Sequence, residues 1–423
     1  MHRLITIVAA LIAVTALAAC GSDSGGDSGG ATAGTTDPAK VKGTVRVIME
    51  EVPDTEVVQG LLPEFEKAYP DVDVKVEALP YDQMRDRIVS SFLASKPTYD
   101  LIIVDNPWMY DFAKGGFLEP LDERIDAVEG FEWDDYSEPL RTIATVDGKR
   151  YAVPFYNYAL ALVYRKDLYE KAGLQPPTSL DELQSAAQKL TGGKVAGIAM
   201  QPQKGYKIFE EWANYLFAAG GSIQDESGKV TLDSPQARTA LEKYIEIYKQ
   251  SAPKNSLNWA FDESIRAVSS DRAAQLLSYN WMLPTLNKEK DRYAIAEVPG
   301  GKAVLGAWYW GLPANAATKD AAWSFVAWVG DKEQEKRRVI AGGAPVRNSV
   351  LDDSEVWEQG FGADYYKTVK AALEDAAPLA NGKNAEEMIN VVGEELNAAG
   401  AGQKSVDDAI TAAGKRAQET LDK

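Results

Sequence analysis

A short apolar run that stops at a polar segment is the feature of this sequence that most constrains its fold. Residues 101–104 are a leucine, two isoleucines and a valine, too short a run for a typical helix and rich in β-branched side chains, so they predict a parallel strand buried on both faces. Pro107 then fits the first turn of a helix that Asp105 or Asn106 would cap. A carboxylate, an amide and the indole of Trp108 therefore lie at the carboxyl end of a strand, where ligands bind in open α/β sheets. The structural alternative is a helix cap beside a core indole.

Two further strands precede this one in the sequence. Residues 44–48 read as a first strand with Glu50 and Glu51 at its carboxyl end, and the valines of residues 72–76 alternate as a second strand. A helical segment follows each of these strands, and Pro63 inside the first predicts a kink or two short pieces. This βαβαβ order favours an α/β fold with a mostly parallel sheet and helices on both of its faces.

Composition excludes several kinds of active site. The chain has one histidine and one cysteine, at positions 2 and 20, so an intrachain disulfide is excluded. If the N-terminal leader is removed, the mature chain has no histidine, which also excludes a Cys/His zinc site and a Ser-His-Asp triad. The formal net charge of −18 argues against nucleic acid and anionic membrane surfaces as partners. A carboxylate-only mechanism such as glycoside hydrolysis remains open, as does an all-oxygen calcium or magnesium site.

The N-terminal segment is built like an export signal. Arg3 precedes an apolar stretch that is too short for a comfortable membrane span. Residues 17–20 resemble the lipobox of bacterial lipoproteins, in which the cysteine carries a diacylglyceryl group. We therefore expect a signal peptide over residues 1–19, lipidation at Cys20, and a flexible tether rich in glycine and serine up to residue 42. The alternative is an ordinary cleaved signal with a chance cysteine.

Residues 100–123 resemble the corresponding segment of the extracellular carbohydrate-binding proteins of bacterial ABC importers, a family that includes maltose-, trehalose- and polyol-binding lipoproteins. The resemblance extends over nearly the whole chain after the tether. It implies a two-lobed periplasmic-binding-protein fold, with three hinge crossings and a ligand cleft between the lobes. The implied segments are 43–152 plus 300–340 for lobe I, 156–296 plus 344–423 for lobe II, and 153–155, 297–299 and 341–343 for the crossings.

The resemblance also implies which side chains contact a sugar. An aromatic ring suits this task because the apolar C–H face of a sugar packs on it while the hydroxyls reach polar groups. The implied contacts are Glu50, Glu51, Asp105, Asn106, Trp108, Tyr156, Asn157, Trp212, Trp281, Trp308, Tyr309, Trp310 and Arg347. Structural roles remain open for several of them: helical spacing favours a core position for Trp212, and a salt bridge that steadies the third crossing is an equal possibility for Arg347.

The sequence thus predicts an exported, lipid-anchored monomer that is not an enzyme and uses no cofactor or metal. The resemblance implies that it captures a neutral mono- or oligosaccharide or polyol and delivers it to the transmembrane permease subunits of an ABC importer. A surface glycoside hydrolase that uses carboxylates alone is the leading alternative, and a non-transport lectin is a third. Because the only histidine lies in the signal peptide, we expect the dissociation constant to be flat between about pH 6 and 8.

Overall fold

The computed structural model describes residues 34–225, 227–288 and 291–423. The expected signal peptide and Cys20 lie outside the described residues. Within that part of the chain, no helix is long and apolar enough to cross a membrane. The fold is α/β and two-lobed, as expected.

Strands and helices alternate in the first third of the chain and helices dominate the rest. The strands are β1 (Gly43–Glu50), β2 (Val72–Leu79), β3 (Leu101–Asp105), β4 (Thr145–Val146), β5 (Lys149–Arg150), β6 (Ala152–Arg165), β7 (Gln275–Tyr279), β8 (Tyr293–Ala296), β9 (Val304–Gly311) and β10 (Ala377–Pro378). The helices are α1 (Pro53–Ala68), α2 (Tyr81–Leu93), α3 (Met109–Lys114), α4 (Asp122–Asp126), α5 (Glu138–Ala144), α6 (Lys166–Ala172), α7 (Leu180–Leu190), α8 (Tyr206–Ala218), α9 (Pro235–Ser251), α10 (Phe261–Ser269), α11 (Met282–Asn287), α12 (Lys319–Val329), α13 (Lys332–Ile340), α14 (Asn348–Leu351), α15 (Ser354–Gln359), α16 (Ala363–Glu374), α17 (Ala385–Gly400) and α18 (Val406–Leu421).

The first three strands confirm the predicted βαβαβ unit, but the expectation of a mostly parallel sheet is wrong, because β9 pairs antiparallel with β3 and β6, and β6 pairs antiparallel with β7 and β8. β1 lies between β2 and β3 and pairs in parallel with both. All five residues of β3 are buried, as a strand covered on both faces requires. Asp105 accepts a hydrogen bond from the backbone N–H of Asn106 and so caps the short 3₁₀ turn that carries Pro107. Helix α1 is one element that runs through Pro63, not two short pieces.

Two strands, β6 and β9, connect the lobes. The first half of β6 pairs with β9, and its second half pairs with β7 and β8. One large hydrophobic cluster surrounds β1, β3 and α12, and a second surrounds α8, α9, α17 and α18. We call these the first and the second lobe. The residue boundaries expected for the lobes and crossings stay predictions.

Candidate functional site

A small, partly open cavity lies where side chains of the two lobes meet beside β6 and β9. Its volume is about 50 Å³, well below the roughly 300–1,000 Å³ of typical ligand pockets. Aromatic and charged residues make up most of its lining. These residues are Glu50, Val52, Tyr81, Asp105, Tyr158, Tyr206, Lys207, Glu210, Phe261, Tyr279, Trp281, Gly306 and Trp308.

A larger cavity of about 350 Å³ lies on the other face of the same two strands. Asn157 and Leu305 line it, and no aromatic side chain does. Since aromatic walls with a few converging polar groups characterise sites for small organic ligands, we assign the ligand-binding role to the smaller, aromatic cavity.

Strand alternation places the aromatic floor of the cavity. Tyr158 of β6 pairs with Gly306 of β9, and Tyr156 pairs with Trp308. Because successive side chains point to opposite faces of a strand, these four positions share one face. The ring of Tyr279 lies over Gly306, where an added Cβ would come within 3.0 Å of it. Glycine at this position therefore leaves space for the phenol ring in the cavity wall.

Asp105 is a buried carboxyl group that the first lobe contributes to the cavity lining. It lies at the carboxyl end of β3 and is 2% exposed. Its Oδ2 accepts hydrogen bonds from the hydroxyls of Tyr81, at 2.8 Å, and of Tyr206, at 3.5 Å. Burial raises the pKa of this carboxyl well above its usual range, although the Tyr81 hydroxyl opposes the shift. Tyr206 belongs to α8, so this carboxylate is shared between the lobes.

The second lobe contributes an ammonium group and a further carboxylate from the first turns of α8. The Lys207 ammonium lies 4.8 Å from the Tyr81 ring centroid and 3.5 Å from Oε2 of Glu210. Burial alone would lower the pKa of Lys207, but the carboxylates of Glu210 and Glu50 outweigh it and raise the pKa. Glu210 in turn accepts a hydrogen bond of 2.6 Å from the Tyr279 hydroxyl.

Glu50 lies at the end of β1, facing the same cavity. Burial raises its pKa to about 7, and the nearby Lys207 ammonium limits the shift. Its charge therefore changes close to neutrality, which the count of histidines could not indicate. The cavity as a whole offers carboxylates that accept hydrogen bonds, an ammonium and phenols that donate them, and aromatic rings. Such a lining can bind a compact molecule with apolar C–H faces and several hydroxyls.

The structure brings some of the predicted contact residues together at this cavity. Glu50, Asp105, Trp281 and Trp308 line it. Three others lie directly behind the lining: Tyr156, whose ring centroid is 5.7 Å from that of Trp308, Trp108, which stacks on Tyr81, and Asn106, which follows Asp105.

The structure places the remaining predicted residues elsewhere. Asn157 and Tyr309 alternate to the opposite strand face from Tyr156 and Trp308. Trp310 packs on Phe155 in the first lobe's core, with ring centroids 4.4 Å apart. Glu51 is exposed on the bend after β1.

Trp212 and Arg347 take the structural roles that the sequence left open. Trp212 is fully buried in the second lobe's core. Arg347 donates hydrogen bonds to the carbonyl oxygens of Phe131, at 2.9 Å, and Gly330, at 2.8 Å, and lies 3.4 Å from the Glu335 carboxylate. The chain segment after the third expected crossing is therefore fixed by a buried guanidinium, and neither residue reaches the cavity.

Several lining residues were not predicted. Tyr206, Lys207 and Glu210 belong to a helix that is otherwise apolar, which the sequence favoured as core, and Tyr81, Tyr158, Phe261 and Tyr279 carry no local motif. The available signal was a lysine and a glutamate three residues apart at the start of such a helix. Residues at this spacing share one helix face, and burying charged groups there is costly, so their presence in an apolar helix indicates a functional position. Among the described residues, no group of three or more His, Cys, Asp or Glu could hold a metal ion.

Comparisons with known proteins agree on one family. Residues 51–336 match the sequence model described as bacterial extracellular solute-binding protein. A probable amino-acid ABC transporter periplasmic-binding protein of Sinorhizobium fredii is 25% identical over 351 residues, which cover 80% of this chain and 80% of that protein. A solute-binding protein of an ABC transporter from Agrobacterium radiobacter K84, in complex with ribitol, has a TM-score of 0.80 at 25% identity and covers 90% of this chain and 99% of that chain. The maltose-bound MalE3 of T. maritima has a TM-score of 0.83 at 27% identity. The match covers 89% of this chain and 100% of that chain.

Proposed function

We propose, from the fact that this chain belongs to the family of bacterial extracellular solute-binding proteins, that it captures a neutral, hydroxyl-rich carbohydrate outside the cell and delivers it to the permease of an ABC importer. The main supporting observation is a cavity between the lobes that aromatic rings line on several sides and to which both lobes contribute carboxyl groups. Sugar and polyol hydroxyls donate to carboxylates, and their C–H faces pack on aromatic rings.

The charges in the cavity favour a polyol or sugar over an amino acid, which is the ligand class named for the Sinorhizobium relative. The lining holds three carboxyl groups, from Glu50, Asp105 and Glu210, and one ammonium, from Lys207. The α-carboxylate of an amino acid would compete with these three carboxyl groups for the single ammonium, and each of them that is ionised repels it, which is costly in a buried site. Hydroxyl groups carry no such penalty. The ribitol and maltose bound to the two structural neighbours belong to the favoured class.

Binding without catalysis is the activity that family membership supports. None of the three similar proteins named above is called an enzyme.

We propose that the protein is a monomer, held at the outer face of the cell membrane by lipid on Cys20, and that the tether lets the folded part reach the permease. Closure of the two lobes around the ligand would give the permease a shape that differs between the loaded and the empty protein.

A thermal-shift screen over polyols, monosaccharides, oligosaccharides and amino acids tests the proposal. A ligand at 100 times its dissociation constant stabilises a protein by about 2.7 kcal/mol, so a true ligand raises the melting temperature clearly. We expect stabilisation by at least one polyol or sugar and none by amino acids. Stabilisation by amino acids alone would refute the carbohydrate assignment. Release of reducing sugar from a bound oligosaccharide would favour the hydrolase instead.

A further inference from the structure

Direct contacts between the two lobes bound the cavity on two sides. On one side, the Lys207 ammonium of the second lobe lies 4.8 Å from the ring centroid of Tyr81 in the first lobe. On the other side, Nε1 of Trp108 donates a hydrogen bond of 3.1 Å to Oε2 of Glu386. Trp108 follows β3 in the first lobe and Glu386 lies in the first turn of α17 in the second. Trp108 and Glu386 therefore lie behind the lining rings of Tyr81 and Trp308, so the two lobes are in contact directly beyond the cavity wall on this side.

Packing makes the Trp108 side a rigid wall. The indole is 1% exposed. Its ring centroid lies 5.7 Å from that of Tyr81, in a stacked arrangement, and 5.7 Å from that of Trp308, edge to face. Tyr81 and Trp308 are themselves lining residues, so the wall consists of two lining rings backed by a third.

A second contact holds the lobes together just beyond this wall. The Asp111 carboxylate of α3 accepts a hydrogen bond from the backbone N–H of Asn384, the residue before α17, at 3.1 Å. The start of α17 is thus fixed to the first lobe at two points, through Trp108 and through Asp111. Closing the lobes therefore completes the wall.

We propose that Trp108 and Glu386 form an end wall that limits the ligand to a single sugar ring or an open-chain polyol. This inference rests on the proposed function and narrows it. A second sugar ring would have to continue through the wall, which would break the indole hydrogen bond and leave the largely buried Glu386 carboxylate without that donor. A buried polar group that loses its partner is costly, so the closed form would reject oligosaccharides.

Calorimetry with a panel of two ligand sizes tests the end wall. The single-unit probes are ribitol, mannitol, glucose and galactose, and the larger probes are maltose, trehalose and maltotriose. For the wild type we expect at least one single-unit probe to bind, and every larger probe to bind at least tenfold more weakly or not at all. Glu386→Ala should reduce this ratio of dissociation constants at least tenfold.

Two control variants separate the wall from a general effect on α17. Glu386→Gln keeps an oxygen that accepts from Trp108 and should retain the wild-type ratio. Glu387→Ala removes the adjacent, exposed carboxylate, which pairs with Lys423 at 3.0 Å, and should also leave the ratio unchanged. Circular dichroism checks that each variant is folded.

The outcomes distinguish the two claims. If a larger probe binds the wild type within tenfold of the best single-unit probe, the end wall is refuted and the proposed function stands. The same holds if folded Glu386→Ala keeps the wild-type ratio. If no carbohydrate of either size binds, the proposed function itself fails, and this inference fails with it.

Discussion

The hydroxyl of Tyr158 in the cavity wall donates a hydrogen bond to the carboxylate of Asp54 at the start of α1. Asp54, at the start of α1, also accepts hydrogen bonds from the Arg338 guanidinium, at 2.5 Å, and from the backbone N–H of Ala344, at 3.1 Å. Ala344 directly follows the third expected crossing. One fully buried carboxylate therefore links a cavity wall to α13 and to the segment that begins at Ala344.

Replacing Asp54 with alanine should destabilise the protein strongly. The variant leaves the buried Arg338 guanidinium without its partner, and breaking a buried ion pair in this way typically costs about 3–5 kcal/mol. Urea unfolding followed by fluorescence measures the loss. Arg337→Ala is the matched control because Arg337, next in the chain, forms an exposed pair with Glu64, and exposed pairs contribute little. Equal stability of the two variants would show that the buried pair is not needed for the fold.

Stability should depend on pH through Glu50. Because burial raises its pKa from 4.5 to about 7, the folded protein holds this proton more tightly than the unfolded chain. The resulting contribution to stability is complete below about pH 4.5 and is lost as the pH rises through about 7. The melting temperature of the ligand-free protein should therefore fall across this window, and Glu50→Gln should reduce the slope. Burial raises the pKa of Glu211 to about 8, so part of the slope will remain.

Binding should follow the same titration, in contrast to the flat profile that the sequence suggested. An ionised carboxylate accepts hydrogen bonds from ligand hydroxyls more strongly than the protonated acid does, so affinity should rise between pH 6 and 8 as Glu50 loses its proton, a range set by its pKa of about 7. Lys207, Glu210 and Asp82 are the charged groups that act on it. Calorimetry at the two pH values, with exposed Glu51→Gln as the control, measures the effect. A flat profile in the wild type would exclude Glu50 from ligand binding.

Lipid attachment at Cys20 should determine where the protein is found. Two acyl chains anchor a protein stably, whereas one chain does so only marginally. Cys20→Ser should move the protein from the membrane fraction to the soluble fraction outside the cytoplasm, and Ser22→Ala should not. Fractionation and immunoblotting measure the distribution. Firm retention of the Cys20→Ser protein on the membrane would refute the anchor.

The parts of the site that could be predicted are those fixed by local sequence. Asp105 follows a buried strand directly, so its place at the strand's carboxyl end depends only on the five residues of β3. Trp281 lies two residues after β7, for the same reason. Both positions follow from strand ends, which periodicity and polar breaks reveal.

The orientation of residues in β6 could not be predicted. The pairing register of β6 with β9 shifts between Pro154 and Tyr156, and a shift of one residue sends every side chain to the other face. The sequence therefore could not decide between Tyr156 and Asn157, and it missed Tyr158. The α8 residues were missed for a different reason. Lys207 is recognisable as a site residue only from its contacts with Tyr81 and Glu50, which are far away in sequence and come close only in the folded chain.

Trp281→Ala should weaken ligand binding about 30-fold or more. The indole projects from the second lobe into the cavity, with its ring centroid 5.4 Å from that of Phe261 and 6.2 Å from that of Tyr158. Truncating such an aromatic anchor removes roughly 2–4 kcal/mol of binding free energy. A ligand favours the closed form only through contacts that the open form lacks. The variant should therefore also lose the ligand-induced compaction that we expect for the wild type, which small-angle scattering would measure. Trp133→Ala, outside the cavity, is the control and should behave as wild type. Wild-type affinity in the Trp281 variant, or a bound wild type that does not compact, would contradict capture by closure.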